Sequence, residues 1–335
     1  MSIRIRLQCG LLVLAALVAA CGSPPTASPS LAPTRLTVGL GYLPSVQFAP
    51  FYRAQQQGYY TAAGLDVTFQ HQIDSQLITL LGQGAVDVGM ADGTSVIAAR
   101  AQGIPVRYAA SIYARFPSVV IALAESGIAA PANLAGRTLG IPGRYGSSWI
   151  MLQALLASAG LTPDDIRIRD YPDFGQAVGL RERQVEAATG FANNEPVQLA
   201  LDGIATNVLR VDDVTPLPGP GLTVGEGTLA AKPEALRAFV AATLRAMREI
   251  VDDPAAGLAD SIEVVPDLGS EPEKQLAILR ATIETWLSPY TDQHGLGAID
   301  RDAWTRSTDF MRTLPELSIP TDLTSDKLVT EDLLP

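Results

Sequence analysis

Residues 84–110 read GAVDVGMADGTSVIAARAQGIPVRYAA. Two short apolar runs, 86–90 and 106–110, enclose a stretch of helical texture at 94–102. Strand, helix and strand in so short a span are the habit of a parallel βαβ unit. The same alternation extends in both directions. Strand patterns lie at 36–40, 65–69, 119–123, 138–141, 166–171 and 185–189, and helical patterns at 74–81 and 147–159. The second of these helices starts after a glycine turn and stops at Gly160, a residue suited to the left-handed cap. The fold class is therefore α/β, with mostly parallel sheets flanked by helices.

After Gly227 the texture changes. Pro233 opens a long helix whose Leu236, Phe239, Val240, Leu244, Met247, Ile250 and Val251 fall on one face. Helical patterns at 254–264, 272–287 and 300–314 follow with no strand between them, so extra C-terminal helices wrap the α/β body. The extended apolar stretches 119–123 and 222–224 stand on either side of one self-contained βα block, and they read as the crossings between two lobes. That reading gives a first lobe of 35–121 plus 225–335 and a second of 122–224.

The N-terminus carries its own information. Arg4 and Arg6 precede an unbroken apolar run at 11–20, followed at once by Cys21. The run is shorter than the ~20 apolar residues a spanning helix needs, and Ala19 and Ala20 are the small residues a signal peptidase requires. Residues 1–20 read as a signal peptide. Val18-Ala19-Ala20-Cys21 resembles a bacterial lipobox, which implies lipid on Cys21 and an extracytoplasmic chain held to the cell membrane by that anchor; the alternative is an ordinary secretory cut with Cys21 a chance residue. Residues 21–34, rich in Pro, Ser and Ala without periodicity, read as a tether. Cleavage would remove Cys9 and leave one cysteine, so no disulfide can form within the chain. With 24 basic and 35 acidic residues the net charge is -11, and nucleic acid is excluded as a partner. The acidity is spread along the chain, as solubility alone would have it.

Candidate ligand-binding residues gather where strand patterns end, because open α/β sheets bind ligands outside the carboxyl ends of their strands. Gly143 and Gly146 free the backbone ahead of Ser147, so orphan N–H groups of Arg144, Tyr145, Gly146, Ser147 and Ser148 can face an acceptor atom. The competing reading is a plain turn capped by Ser147. Tyr42, Phe48, Tyr113, Tyr145, Trp149 and Phe191 are aromatic residues on which a flat ligand can stack, although Phe48, Trp149 and Phe191 also suit the core. Polar partners are Gln47, Asp92 and Thr94 in the first half and Asn193, Asn194 and Glu195 in the second. Asn194 and Glu195 can instead serve only to cap the next helix.

Enzymatic signals are weak. His71 and His294 are the chain's two histidines and neither has a recognisable partner. No nucleophile elbow, Walker-type loop or zinc spacing is present, and Gly39-Leu40-Gly41 is followed by Pro44 where a dinucleotide fingerprint would continue into helix.

Four blocks carry a family resemblance: GYLPSVQFAPFYRAQQQGYY at 41–60 with AAGLDV at 62–67, GAVDVGMAD at 84–92, NLAGRTLGI at 133–141 and PGRYGSS at 142–148. In that order they resemble the NMT1/THI5-like and sulfonate-receptor branch of periplasmic solute-binding proteins, over about 36–333. The resemblance implies a two-lobed periplasmic-binding-protein type II fold, a small-molecule ligand, no cofactor, no metal, no catalytic residue and an ABC-type permease as partner. Some relatives are pyrimidine synthases with a cysteine-rich iron site, which this chain's cysteine content does not match. The combination VQFAPFYRAQQQGYY, ADGTSVIAARAQGIPV and GIPGRYGSSWI resembles the riboflavin-binding lipoproteins, which implies riboflavin as the transported ligand. A neutral ring with a polyol tail also suits a pocket where Arg115 and Arg144 are the nearby cations, whereas a sulfonate or nitrate needs concentrated positive charge or several N–H donors. A thiamine pyrimidine precursor is the alternative ligand, and a membrane-tethered pyrimidine-modifying enzyme the alternative of another class.

Overall fold

The chain enters its fold at Thr34, whose N–H donates to Gly64 O at 2.8 Å and whose strand, β1 (Thr34–Leu40), pairs in parallel with β2 (Leu65–His71). The tether reading therefore ends one residue too late. The computed structural model describes residues 32–71 and 74–335, so the signal peptide, Cys21 and most of the tether lie outside the described residues.

Between β1 and β2 lie α1 (Ala49–Gln56) and α2 (Tyr59–Ala62); α3 (Asp74–Gln83), β3 (Val88–Asp92), α4 (Gly93–Ala101) and β4 (Val106–Ser111) follow. The chain then crosses to a second sheet through β5 (Ser118–Leu123), β6 (Thr138–Ile141), α5 (Gly146–Ser158), β7 (Arg167–Asp170), α6 (Gln176–Arg181), β8 (Ala187–Phe191), α7 (Glu195–Leu201) and β9 (Thr206–Arg210). It returns with β10 (Pro220–Gly225) and ends in α8 (Glu226–Ala231), α9 (Pro233–Asp252), α10 (Pro254–Val264), α11 (Pro272–Trp286), α12 (Pro289–His294), α13 (Arg301–Arg312) and α14 (Ser325–Leu328).

The two sheets share one plan. The first has strand order β2-β1-β3-β10-β4 and the second β7-β6-β8-β5-β9. In each, β10 or β5 runs antiparallel to both neighbours while the other four strands share a direction. Each lobe is thus a mostly parallel five-stranded sheet whose one reversed strand comes from the crossing chain.

That plan corrects the lobe boundaries. The stretches 119–123 and 222–224 belong to β5 and β10, which are buried strands of the second and first sheets. The crossings are the loop 112–117 and the stretch 211–219, which opens with a 3-10 turn at Val211–Asp213. Extended apolar chain reads alike whether it links sheets or lies within one, and only the pairing partners decide.

Glycine lets α3 lie close on the first sheet: a Cβ on Gly39 would meet Leu77 Cδ1 at 2.2 Å and one on Gly89 would meet Leu81 Cδ1 at 2.6 Å. On the opposite face α9 buries Leu236, Phe239, Val240, Leu244, Met247 and Ile250, as its periodicity predicts. Phe239 stacks on Tyr60 at 5.0 Å and on Phe51 of α1 at 6.3 Å. Arg53 fastens α1 further, donating to Asp260 at 2.6 Å and Glu249 at 2.9 Å. A second apolar cluster runs on from Leu77, Val96 and Ile97 to Val120 and Leu139 of the second sheet and Met151 of α5, and takes in Trp304 and Met311 of α13. Glu316 accepts from Trp149 Nε1 at 2.9 Å and from Gln153, both on α5. The C-terminal segment therefore braces both lobes rather than the first alone.

Candidate ligand-binding cleft

The parallel strands of both sheets deliver their carboxyl ends to a common cleft. From the first lobe come Tyr42 after β1, the 3-10 turn Val46–Phe48, Asp92 at the end of β3, and the loop after β4 that holds Tyr113. From the second come the loop 142–145 after β6, the start of α5, and residues 192–194 after β8.

Asn193 is the centre of the polar floor. It is fully buried, and its Nδ2 donates to Gln47 Oε1 at 3.1 Å and to Thr282 Oγ1 at 2.9 Å. The Tyr113 hydroxyl donates to the same Gln47 oxygen at 3.4 Å. Thr282 in turn donates to Ile278 O at 2.8 Å, so its hydroxyl is oriented to accept from Asn193. Asn193 Oδ1 and Thr94 Oγ1 are buried without a hydrogen-bond partner, which costs free energy unless a donor arrives.

Asp92 precedes α4, the position from which an aspartate commonly caps a helix, yet it makes no capping bond. Its carboxyl group instead faces the Ser147 hydroxyl of the second lobe, which works to lower its pKa. Burial pushes its pKa up to about 6, against the smaller opposing effect of Ser147. Tyr113 is raised too, by burial first and by the Asp92 charge in addition. The turn reading for Ser147 fails here: the residue preceding α5 is Tyr145, with no side-chain cap, and Gly146 sits at φ +66. Tyr145 gives the first N–H groups of α5 no side-chain cap.

Aromatic rings stand at the mouth. Tyr145 is 55% exposed and Tyr42 37%. Burial on its inner side raises the Tyr42 phenol, with the Glu195 carboxylate adding to the effect. The Tyr42 ring meets that of Phe174, from the loop after β7, edge to face at 6.2 Å.

Other sequence candidates have different employment. Phe48 is a core residue, 5% exposed and packed on Phe51. Trp149 is held by Glu316, with the Arg144 guanidinium 5.9 Å from its ring centre. Asn194 Oδ1 accepts from Gln198 at 2.8 Å, and Glu195 Oε2 accepts from Phe191 N at 2.7 Å, so both organise the loop and the first turn of α7. Phe191 and Ser148 are half-buried at the edge of the assembly. His71, without a partner in the sequence reading, lies 3.0 Å from Tyr42 O through Nδ1 and 3.4 Å from the Tyr52 hydroxyl through Nε2. Thr282 and Phe174 were not legible as site residues. Nothing in sequence marks a mid-helix threonine, and the DFG turn at 173–175 gives only the weak signal of an aromatic beside a turn glycine.

A separate cavity of about 490 Å³ lies against both crossings, lined among others by Tyr113, Arg115, Arg210, Asp212, Tyr290 and Trp304. Arg115 faces that cavity, so Arg144 is the remaining cation among the sequence candidates for the cleft.

Two sheets of this plan with ligand-type groups converging between them define the two-lobed fold of periplasmic solute-binding proteins. The structure of the periplasmic nitrate-binding protein NrtA from Synechocystis PCC 6803 has the same fold, with a TM-score of 0.66 at 14% identity, covering 90% of this chain and 87% of that one. The chain belongs to the family described as NMT1/THI5 like, whose profile matches residues 45–257. The riboflavin-binding protein RibY of Chloroflexus aurantiacus is 34% identical over 95% of this chain and 94% of its own. The 4-amino-5-hydroxymethyl-2-methylpyrimidine phosphate synthase of Aspergillus parasiticus is 27% identical over 68% of this chain and 70% of its own.

Proposed function

We propose that this protein is the extracytoplasmic, lipid-anchored receptor of an ABC-type importer, that riboflavin is its solute, and that it is not an enzyme. The observation that carries the reading is the near full-length likeness to RibY, joined to a cleft whose chemistry suits a flat neutral ring with a hydroxylated tail. The rings of Tyr42 and Tyr145 supply stacking surface at the mouth, each good stack adding roughly 0.5–1.5 kcal/mol beyond area burial. Asn193 Oδ1 supplies an unsatisfied acceptor for a ring N–H or ribityl O–H group at the floor. The buried Asp92 carboxyl opposes an anionic ligand, which weighs against sulfonate or nitrate. Solute would bind between the lobes, favour their closed arrangement, and so present a defined face to a permease. The pyrimidine synthase relatives favour a second reading, a receptor for a thiamine pyrimidine precursor.

Residues 33–335 form one compact unit, so they serve for the test. Riboflavin emission should be quenched at one equivalent, and a ligand excess of about one hundred times the dissociation constant should add ~2.7 kcal/mol, a melt shift of a few degrees. No response to riboflavin with a shift on adding the pyrimidine would replace the first reading by the second.

A further inference from the structure

Phe174 combines three properties that rarely meet. Its backbone lies at φ +61, a left-handed conformation that a bulky side chain adopts only under constraint. The constraint is visible: Phe174 N donates to Tyr171 O at 2.9 Å, and Gly175 N donates to Asp173 Oδ1 at 3.1 Å, fixing a tight turn. Gly175, the residue suited to such a backbone, stands next door at an ordinary φ of -81. The ring gains no place in a core in return, being 42% exposed and outside every core cluster. Its recorded ring partner is Tyr42, which belongs to the other lobe. Phe174, Tyr42, Tyr145 and Leu43 are all exposed large apolar residues, and all follow the carboxyl end of a strand.

A strained, solvent-facing aromatic residue held toward an aromatic residue across a cleft is out of place as a packing element. We propose that Phe174 is the second lobe's clamp on a planar heteroaromatic solute, its ring and that of Tyr42, in edge-to-face contact at 6.2 Å without ligand, parting to take the ring system between them. The proposal rests on the receptor reading above and adds to it a residue that sets specificity for flat rings. The backbone of the turn holds the side chain in the mouth instead of letting it fold back on its own lobe, so less ordering is left to be done when solute binds.

The test compares Phe174→Gly, Phe174→Leu and Phe174→Tyr in residues 33–335, by melting without ligand and by riboflavin titration. Glycine accepts the left-handed backbone, so the Gly variant should melt within a degree or two of the parent while binding riboflavin about tenfold more weakly. Leucine keeps apolar volume without a ring and should lose affinity similarly; tyrosine should stay within about threefold of the parent. Binding by the Gly variant within twofold of the parent, or equal affinity for the Leu and Tyr variants, overturns the clamp. A fall of many degrees in the Gly variant's melt overturns it too, by making the ring a structural support. Failure of the unmodified protein to bind riboflavin is a different result, since it removes the receptor reading and the clamp with it.

Discussion

The two walls of the cleft are built on the same sheet plan but in opposite styles. The first-lobe wall is deep and fastened. Gln47 is 8% exposed on a turn whose Ser45 Oγ accepts its N–H, next to α1, which Arg53 and the Phe51–Phe239–Tyr60 stack hold against α9 and α10. The second-lobe wall carries its aromatic rings on loops, beside Gly143 and Gly146 or in the strained turn at Phe174, and leaves them in solvent. The fixed first wall sets depth and polar recognition, and the second holds exposed rings at the mouth where they can cover the solute. The division agrees with the hydrogen bonds across the cleft, where Asn193 of the second lobe meets partners that the first lobe has already oriented.

The largest expected effect comes from undermining the fixed wall at a distance. Phe239→Ala removes the middle ring of the three-ring stack and should cost about 3–5 kcal/mol in urea unfolding. A cost under about 1 kcal/mol would mean that the first wall does not depend on that core.

Next comes the contact between the walls. Asn193→Ala leaves Gln47 and Thr282 short of a donor and takes away the unpaired Oδ1 acceptor, so riboflavin binding should weaken about 10- to 100-fold, equivalent to roughly 1–3 kcal/mol. Unchanged affinity would separate the polar floor from the ligand and break the comparison at its centre.

The smallest effect is one of pH. Asp92 keeps its proton up to about pH 6 in the folded chain, against an ordinary value of 3.8. A carboxyl with a raised folded pKa imposes a cost that is fully present above about pH 6 and disappears as the pH falls below 4. The groups around it are the Tyr108 and Tyr113 hydroxyls, both of which titrate far above this range, and the Ser147 hydroxyl. Asp92→Asn should therefore melt above the parent at pH 7.5, with the gap narrowing at pH 4.5. Glu186 and Glu249, whose pKa values are lowered, act in the opposite sense, and they cancel in the difference between the two proteins. A gap that is the same at both pH values would contradict a buried, neutral-leaning Asp92.

How much of this was legible in sequence depended on whether the signal was local. The alternation of apolar runs and helices gave the α/β class, and six of the seven residues read onto the face of α9 are buried, Val251 being partly exposed at its end, because a 3.6-residue period needs no partner to be read. β9 (TNVLR) was missed because it is short and half polar, and β10 (PGLTVG) read as a connector because it carries Pro and two Gly. Pro220 is tolerated there because it is the first residue of its strand. Tyr42, Gln47, Asp92, Tyr113, Tyr145, Ser147 and Asn193 are candidates through the general rule on strand ends, and the structure places them at or beyond those ends. Thr282 is not a candidate by that rule, since a threonine on a helix enters the site only through the return of the C-terminal third to the first lobe. Phe174 was not legible, because a backbone angle leaves no mark in the residue type.

The most direct test of the cleft account is hydrogen exchange of residues 33–335 with and without saturating riboflavin. The account predicts slowed exchange at 42–48, 143–150, 171–176 and 191–195, on both walls together. Slowing confined to 114–115, 210–219 and 288–304, around the hinge-side cavity, would place the ligand elsewhere and contradict it.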